Sequence, residues 1–504
     1  MAIDRFLLPF QRNTCLYISE PDIRREPVLT ASPKESGAPD NLCAYFYGTV
    51  LYDESKYRMW YYAAHSGKNP DNDPPMPQTE KSTGYFSEDN GFYMGPFCYA
   101  ESLDGIHFEK PALGQFSFKG TEEHNAISLI HPSIAGPLII KDPDDPDPNR
   151  RYKMIHEIIP VQAEPEIKEY GVYSTIALAV SPDGLKWTST QVPFPGQFME
   201  PASFYKHGNK YVVHYHVCDG NDDDYYTEGG ALSGRTGIAR YTEDFETWHD
   251  FWVEAFAPTE PEDRNLRGLN GTYDQIHLGV GAASLGNVCV GLYGIWHNAD
   301  YFKDFSKISG DIGLVISNDG LIFREPVKGL RFIKQEDSPC TPVTGHDLNT
   351  ILTQANGILN VGDKTLIYHG RWRNGIVPDA ETTQKYNGSE IALATLPRDR
   401  WGGLSIVPGA SAGKVCSAEM ELRDCFKVYL NADGLRNINV SLLNPDFSEI
   451  EGYANGTCRE EDGLCSEVRF PLAETGKLPE TVRICVNLIR NETDPRVYAV
   501  YVEE

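Results

Sequence analysis

The stretch SPDGLKW (residues 181–187) follows a β-branched run, TIALAV, and reads as a tight Asp-Gly turn between two strands. The same phrase recurs as SLDGIHF (residues 102–108) and SNDGLIF (residues 317–323). Looser copies follow in TEDFETW, with Asp244 and Trp248, and in PRDRW, with Asp399 and Trp401. The five anchoring aspartates, Asp104, Asp183, Asp244, Asp319 and Asp399, fall 61 to 80 residues apart. Upstream of each turn lies an aromatic-rich run such as YKMIHE or VCVGLYGIW. Strand, loop, strand, tight turn, strand is therefore the order in each repeat.

A small antiparallel sheet cannot cover both of its faces alone, so sheets repeated at this interval pack radially as propeller blades. The sequence predicts an all-β chain: a lead-in over residues 1–40, a five-bladed β-propeller over 41–405 and a C-terminal antiparallel β-sandwich over 414–504. The last is read from the alternating runs VYLNADG, INVSLLN, SEVRFPL, VRICVNLI and RVYAVYV. Long segments between the second and third strands of each repeat emerge on the same face as the start of the innermost strand. The Asp-Gly turns lie on the opposite face, where the Asp closes the turn and the aromatic packs between blades. Chemistry is expected at the face away from them.

With 72 acidic and 45 basic residues the chain carries a formal charge of −27, which disfavours nucleic acid and anionic membranes and suits a neutral, hydroxyl-rich ligand. The N-terminus lacks the pattern of a secretory signal, and no segment is apolar enough to span a bilayer. The eleven cysteines never form a CxxC pair, so a cytoplasmic location is expected. No metal site is predicted. The acidic turns DPDDPDP and GNDDD are read as solvated, with calcium as the alternative.

Polar and aromatic residues cluster at the ends of the second strands: His156 and Glu157, His214 and His216, Trp296 and His297, then His369, Arg371 and Trp372. All converge on one face, where rings stack on sugars and His or Arg groups bind hydroxyls. Arg371 and Arg373 suit an acidic sugar. Near the starts of inner strands lie the acids Asp40, Asp274 in TYDQIH and Asp347 in GHDLN.

The blade-one phrase YAESLDGIHFEKP, together with FMEPASFYKHGNKYVVHYH opening the third repeat, resembles the five-bladed glycoside hydrolases of the invertase, levanase and arabinanase superfamily, families 32, 43 and 68. The resemblance implies that Glu200, in Phe198-Met199-Glu200-Pro201, is the general acid. It does not extend to the family's other carboxylates, because Lys141-Asp142-Pro143 opens a turn on the wrong face and the first blade has no acid in its inner strand. Asp40 or Asp274 is then the partner carboxylate, with Asp347 third. The implied activity is hydrolysis of a small oligosaccharide or glycoside without a cofactor. A glycoside phosphorylase and a non-catalytic carbohydrate-binding propeller are the alternatives.

Overall fold

The computed structural model describes residues 1–67, 69, 92–129, 133–158, 175–190, 192–195, 200–218, 235–256, 275–298, 307–375, 386–422, 426–471 and 478–503. Its regular structure is almost entirely β-strand, arranged in several antiparallel sheets. Two compact units form, one from Ile23–Leu359 and Ile367–Ala394, the other from Met1–Asp22, Asn360–Leu366 and Thr395–Glu504.

In the first compact unit each repeat contributes its own antiparallel strands. The first repeat supplies Cys43–Asp53, Lys56–Ser66 and Phe92–Ser102; the second, Ser133–Lys141, Tyr152–Ile158 and Thr175–Ser181. The third supplies Glu200–His207, Lys210–Cys218 and Arg235–Thr242; the fourth, Gln275–Leu285, Val288–His297 and Ser309–Ser317. The fifth contains Thr350–Thr353, Lys364–Arg373 and Gly388–Pro397, with Leu29–Thr30 pairing on its outer edge. Part of the expected lead-in thus closes the last sheet. An extended chain beside an unpaired edge satisfies that edge's backbone groups.

The opening motif has the same hydrogen bonds wherever it is written in full. Asp183 Oδ1 accepts from the Leu185 and Lys186 N–H groups, both at 2.8 Å, and Ser181 Oγ accepts from Gly184 N–H at 2.8 Å. Asp104 and Asp319 repeat this pattern, and Asp244 repeats it with Thr242 as the hydroxyl. Position four of the motif sits at positive φ, 75° at Gly184, which explains the glycine; Phe245 bears that conformation at 62°. Two backbone N–H donors on each turn hold these aspartates ionised. The Thr247 amide, joined by that of Glu246, brings Asp244 down to about 2 against the effect of burial.

Each full turn is latched by a neighbouring repeat. Trp60 of the first donates to Gly184 O at 2.8 Å, Tyr205 of the third donates to Gly320 O, and Tyr368 of the fifth donates to Gly105 O at 2.7 Å. The fifth repeat therefore returns to the first. Asp399 departs from the pattern: it accepts from Asn360 and Tyr501, both within the second compact unit, and so does not close a turn of this kind.

The inner strands are stitched to one another by side-chain amides and hydroxyls. Asn356, which follows Thr350–Thr353, donates through Nδ2 to Phe204 O (2.7 Å) and Ile139 O (3.4 Å) and accepts from Phe204 N–H (3.0 Å). Its backbone pairs with Gly48 and Val50. Gln354 Nε2 reaches His277 O and Gly279 O at 2.5 and 2.9 Å. Thr49 joins Pro137 O and Ile139 N–H, and Ser203 joins Val280 O. These contacts involve inner strands of all five repeats.

The second compact unit holds two five-stranded antiparallel sheets. One contains Phe10–Arg12, Ala412–Cys416, Met420–Glu421, Ile438–Leu443 and Thr481–Ile489; the other Thr14–Ile18, Gly402–Ile406, Lys427–Asp433, Gly463–Glu467 and Arg496–Glu503. Leu404, Val415, Val428, Leu430, Val440, Val486 and Val497 share its core. The strands Phe10–Arg12, Thr14–Ile18 and Gly402–Ile406 belong to this unit although they precede residue 414: Leu404 and Ile406 complete its core with Leu16 packed against it, and the exposed Phe10–Arg12 pairs with Ala412–Cys416.

Truncating Asn356 to Ala leaves the Phe204 backbone groups unpaired and is expected to destabilise the fold by roughly 2–5 kcal/mol in chemical denaturation, while Asn437→Ala, which loses one exposed bond, changes little. Equal effects would contradict the role given to Asn356. A second expectation concerns pH. Burial lowers His214 to about 4, and burial together with Arg371 lowers His369 to about 3. Because the unfolded imidazole takes up its proton near pH 6.5 and the folded one does not, stability is full above about 6.5 and declines as pH falls towards 4. His214→Phe should show a shallower decline, and an unchanged slope would refute the contribution.

Candidate functional site

Antiparallel alternation puts the start of every first strand and the end of every second strand at one end of the sheets, away from the Asp-Gly turns. There the first four inner strands are irregular. Register shifts occur between Tyr45 and Thr49, Ala135 and Leu138, Pro201 and Ser203, and His277 and Val280. Such bulges bend a strand and re-aim its side chains. Glycine is required at two of them: a Cβ on Gly48 would meet Trp60 O at 2.0 Å, and one on Gly279 (φ +88°) would meet Tyr215 O at 2.9 Å. The carbonyls freed at Gly48, Pro137, His277 and Gly279 accept the stitching bonds described above.

Five repeats contribute side chains at this end. Tyr47, within the first bulge, lies edge-on to His277 at 5.8 Å, and His277 packs on Trp296 at 4.5 Å. On its other side Tyr47 stacks with Tyr45 at 5.9 Å, which in turn meets Tyr62 at 5.9 Å and Trp372 at 6.1 Å. Trp372 Nε1 donates to Asn387 Oδ1 at 2.7 Å, and Asn387 Nδ2 donates to the Tyr45 hydroxyl at 3.2 Å, which fixes both rings. Two carboxylates join this aromatic wall. Glu200, at the first position of its strand, is 41% exposed and lies 3.6 Å from Nε2 of its cross-strand partner His216. Glu157, in the second repeat, is buried.

Tyr62 lies near both acids. It is fully buried, and burial first, then the charges of Glu157, Tyr47, Cys43 and Glu200, push its hydroxyl well above its ordinary pKa. Tyr62 therefore remains a neutral donor within the field of both carboxylates. An aromatic wall with a pair of acids and a pair of imidazoles suits a polyhydroxylated ring, whose C–H face stacks while its hydroxyls find acceptors.

The structure pairs Glu200 with His216 and sets Glu157 and Glu200 near Tyr62, while Trp296 packs on His277. His156 lies beneath them, buried against Phe97 at 5.6 Å. It also assembles Tyr45, Tyr47, Tyr62 and His277, which the strand-end pattern did not single out. The signal present for them was the YFY run before Gly48 and the histidine two residues before Gly279. Asp274, Phe198 and Met199 lie outside the described residues, as do the segments joining second to third strands and the acidic run GNDDD.

Other expected residues are engaged elsewhere. Asp40 is buried and accepts from Tyr61 (2.8 Å) and Lys110 (2.5 Å), and Tyr61 alternates with Tyr62 to the opposite face of its strand. Asp40 is therefore held by Tyr61 and Lys110. His214 is buried between Tyr205 (Nε2 to hydroxyl, 3.0 Å) and Phe323, close to the Gly320 turn. His297 is ion-paired to Asp311 at 2.7 Å. His369 contacts Ser338 Oγ at 2.8 Å. Arg371 is spent on the carbonyls of Arg24 and Arg25 and on Ser338, where it anchors the N-terminal segment to the fifth sheet. Arg373 donates to the carbonyls of Tyr386 and Thr341. With both guanidiniums so used, they do not form the acidic-sugar pocket expected of them. Asp347 lies on an exposed turn.

Of the four acids in the DPDDPDP turn, Asp144 and Asp147 are exposed, whereas Asp142 and Asp145 are paired with lysines of the neighbouring strands. Asp142 is paired with Lys206 (2.8 Å) and Lys153 (3.3 Å), and Asp145 with Lys153 (2.7 Å). Burial opposes ionisation of Asp142, but the Lys206 and Tyr211 hydrogen bonds outweigh it and hold the carboxyl at about 2. Among the described residues no group of three or more His, Cys, Asp or Glu side chains is placed to hold a metal ion. None of the described helices is long and apolar enough to cross a membrane.

No family model matches the sequence, and no curated protein matches it. Solved structures do. A glycosyl hydrolase from Bacteroides ovatus is similar over 76% of this chain and 95% of its own, at 13% identity and a TM-score of 0.43. The β-1,2-mannobiose phosphorylase of Listeria innocua, solved with β-1,2-mannobiose, is similar over 76% and 96%, at 13% identity and a TM-score of 0.42. A structure from GH130, a family of mannoside phosphorylases that contains glycoside hydrolases acting on β-1,2-mannosidic linkages, is similar over 78% and 96%, at 12% identity and a TM-score of 0.39. These likenesses do not separate families 32, 43 and 68 from GH130.

If Asp40 is a buried structural anion, Asp40→Ala lowers unfolding free energy by roughly 3–5 kcal/mol, and a double-mutant cycle with Lys110→Met recovers a large part of it as coupling. A loss below about 1 kcal/mol would place Asp40 at a solvated surface instead.

Proposed function

We propose that this chain is a glycoside-active enzyme whose first compact unit is a five-bladed β-propeller and whose second is a β-sandwich. Its substrate is a small, neutral oligosaccharide or glycoside, and its reaction is hydrolysis. The observation that carries this reading is the pair of acids at the bulged end of the strands, Glu200 beside His216 and the buried Glu157, with the stack of Tyr47, His277 and Trp296 at the same end.

Glycosidic cleavage requires a proton for the leaving oxygen and a second carboxylate across the bond, acting on the anomeric carbon or on a water. Glu200 is assigned the first role. It lies at the more open position, where it can be reprotonated from solvent between turnovers, and His216 behind it fixes its orientation and can exchange the proton. Glu157 takes the second role, since its burial keeps bulk water away from the cation-like transition state that it faces. The aromatic wall holds the apolar face of the sugar, so that the scissile bond lies between the acids. A formal charge of −27 selects against anionic competitors.

Wild type, Glu200→Gln and Glu157→Gln are to be compared on aryl glycosides and short oligosaccharides, with and without inorganic phosphate, by released reducing sugar or sugar phosphate. Each substitution should lower kcat by about 10²–10⁴-fold while leaving the thermal midpoint nearly unchanged. Turnover that requires phosphate would replace hydrolysis by phosphorolysis at the same site. Binding without turnover in the wild type would leave a carbohydrate-binding propeller, and full activity in both variants would remove these residues from the chemistry.

A further inference from the structure

The second compact unit contains two thiols placed opposite each other. Cys416, ending Ala412–Cys416, and Cys485, within Thr481–Ile489, are cross-strand register partners. Both are buried, 4% and 1% exposed, and they pack together with Leu443. The adjoining pair, Ser417 and Ile484, carries the inter-strand N–H to O bond at 2.8 Å. Bonded and non-bonded pairs alternate along an antiparallel ladder, so Cys416 and Cys485 occupy a non-hydrogen-bonded position, where Cα atoms stand about 4.5 Å apart and the side chains lean together. That spacing falls within the roughly 4.4–6.8 Å that a disulfide spans. Among the described residues no other two cysteines are strand-register partners.

We propose that Cys416 and Cys485 are a peroxide-oxidisable dithiol, a modification site that cross-links two adjacent inner strands of one sheet. The two sulfurs are chemically unequal. The neighbouring Cys485 thiol, with the cations Lys414 and Arg483, favours the Cys416 thiolate against the effect of burial. The neighbouring Cys416 sulfur and burial keep Cys485 protonated. Cys416 is therefore the nucleophile. Its thiolate attacks one oxygen of hydrogen peroxide, a co-reactant small enough for a nearly closed site, forming a sulfenic acid and releasing hydroxide. Cys485 then attacks the Cys416 sulfur, giving up its proton, and the sulfenic oxygen leaves as water. Two thiols and one peroxide become one disulfide and two waters.

The test treats the full native chain with hydrogen peroxide, blocks remaining thiols with N-ethylmaleimide in denaturant, and maps the peptides by mass spectrometry. The expected product is a joined pair of peptides holding Cys416 and Cys485, about 2 Da lighter than the sum of the free peptides and released by dithiothreitol. In Cys485→Ser the reaction should stop at a Cys416 sulfenic acid captured by dimedone; in Cys416→Ser, Cys485 should stay reduced. Recovery of both cysteines as maleimide adducts, under conditions in which the exposed Cys465 is oxidised, overturns the proposal. So does dimedone capture at Cys485 in preference to Cys416. Mapping the wild type decides the cross-link even if a variant fails to fold.

Discussion

The amide of Asn356 is the interaction on which the larger unit depends. The first strands of successive repeats lie side by side, yet strands already committed to their own sheets have few free backbone groups to offer one another. Bulges resolve this conflict. By breaking register near Tyr47, Gly136, Ala202 and Gly279, the first four inner strands turn carbonyls out of their own ladders. Asn356, Gln354, Thr49 and Ser203 bond to carbonyls of these strands. One side-chain amide thereby satisfies groups on strands from two other repeats while its backbone pairs with a third.

The same bulges shape the candidate site. A side chain that would alternate into a sheet interface is instead redirected, and Tyr47 is brought against His277, a residue more than two hundred positions away. The opposite end is occupied by Asp-Gly turns whose aspartates are saturated by backbone donors and whose carbonyls are latched by Trp60, Tyr205 and Tyr368. The hydrogen-bonded turns occupy that end, and the acids and imidazoles of the candidate site lie at the bulged one. Each end of the strands therefore has a distinct task.

Much of this was legible in the sequence because a turn is a local object. Ser181, Asp183 and Gly184 define their own hydrogen bonds within four residues, so repetition of the letters meant repetition of the geometry. The fifth copy misled for the same reason: Asp399 has the right neighbours but bonds to Asn360 and Tyr501. The site was less legible. Strand-end position identified Glu157, His216 and Trp296, yet it could not distinguish a residue facing the axis from one facing the next sheet. His214 and His369 are each two residues from a residue at the site-ward strand end, Arg371 and Arg373 point with His369, and all are consumed by packing or by carbonyls. Bulges change which side chains emerge at an end. Tyr47 and His277 could be placed only once those shifts in register were known.

The most direct measurement is a crystal structure of the Glu200→Gln variant soaked with a mixture of short neutral oligosaccharides. The account predicts a sugar ring against Trp296, His277 and Tyr47, with a glycosidic oxygen within hydrogen-bond reach of residue 200 and the anomeric carbon facing Glu157. A sugar bound elsewhere on the chain, with this end unoccupied at saturating ligand, would contradict it.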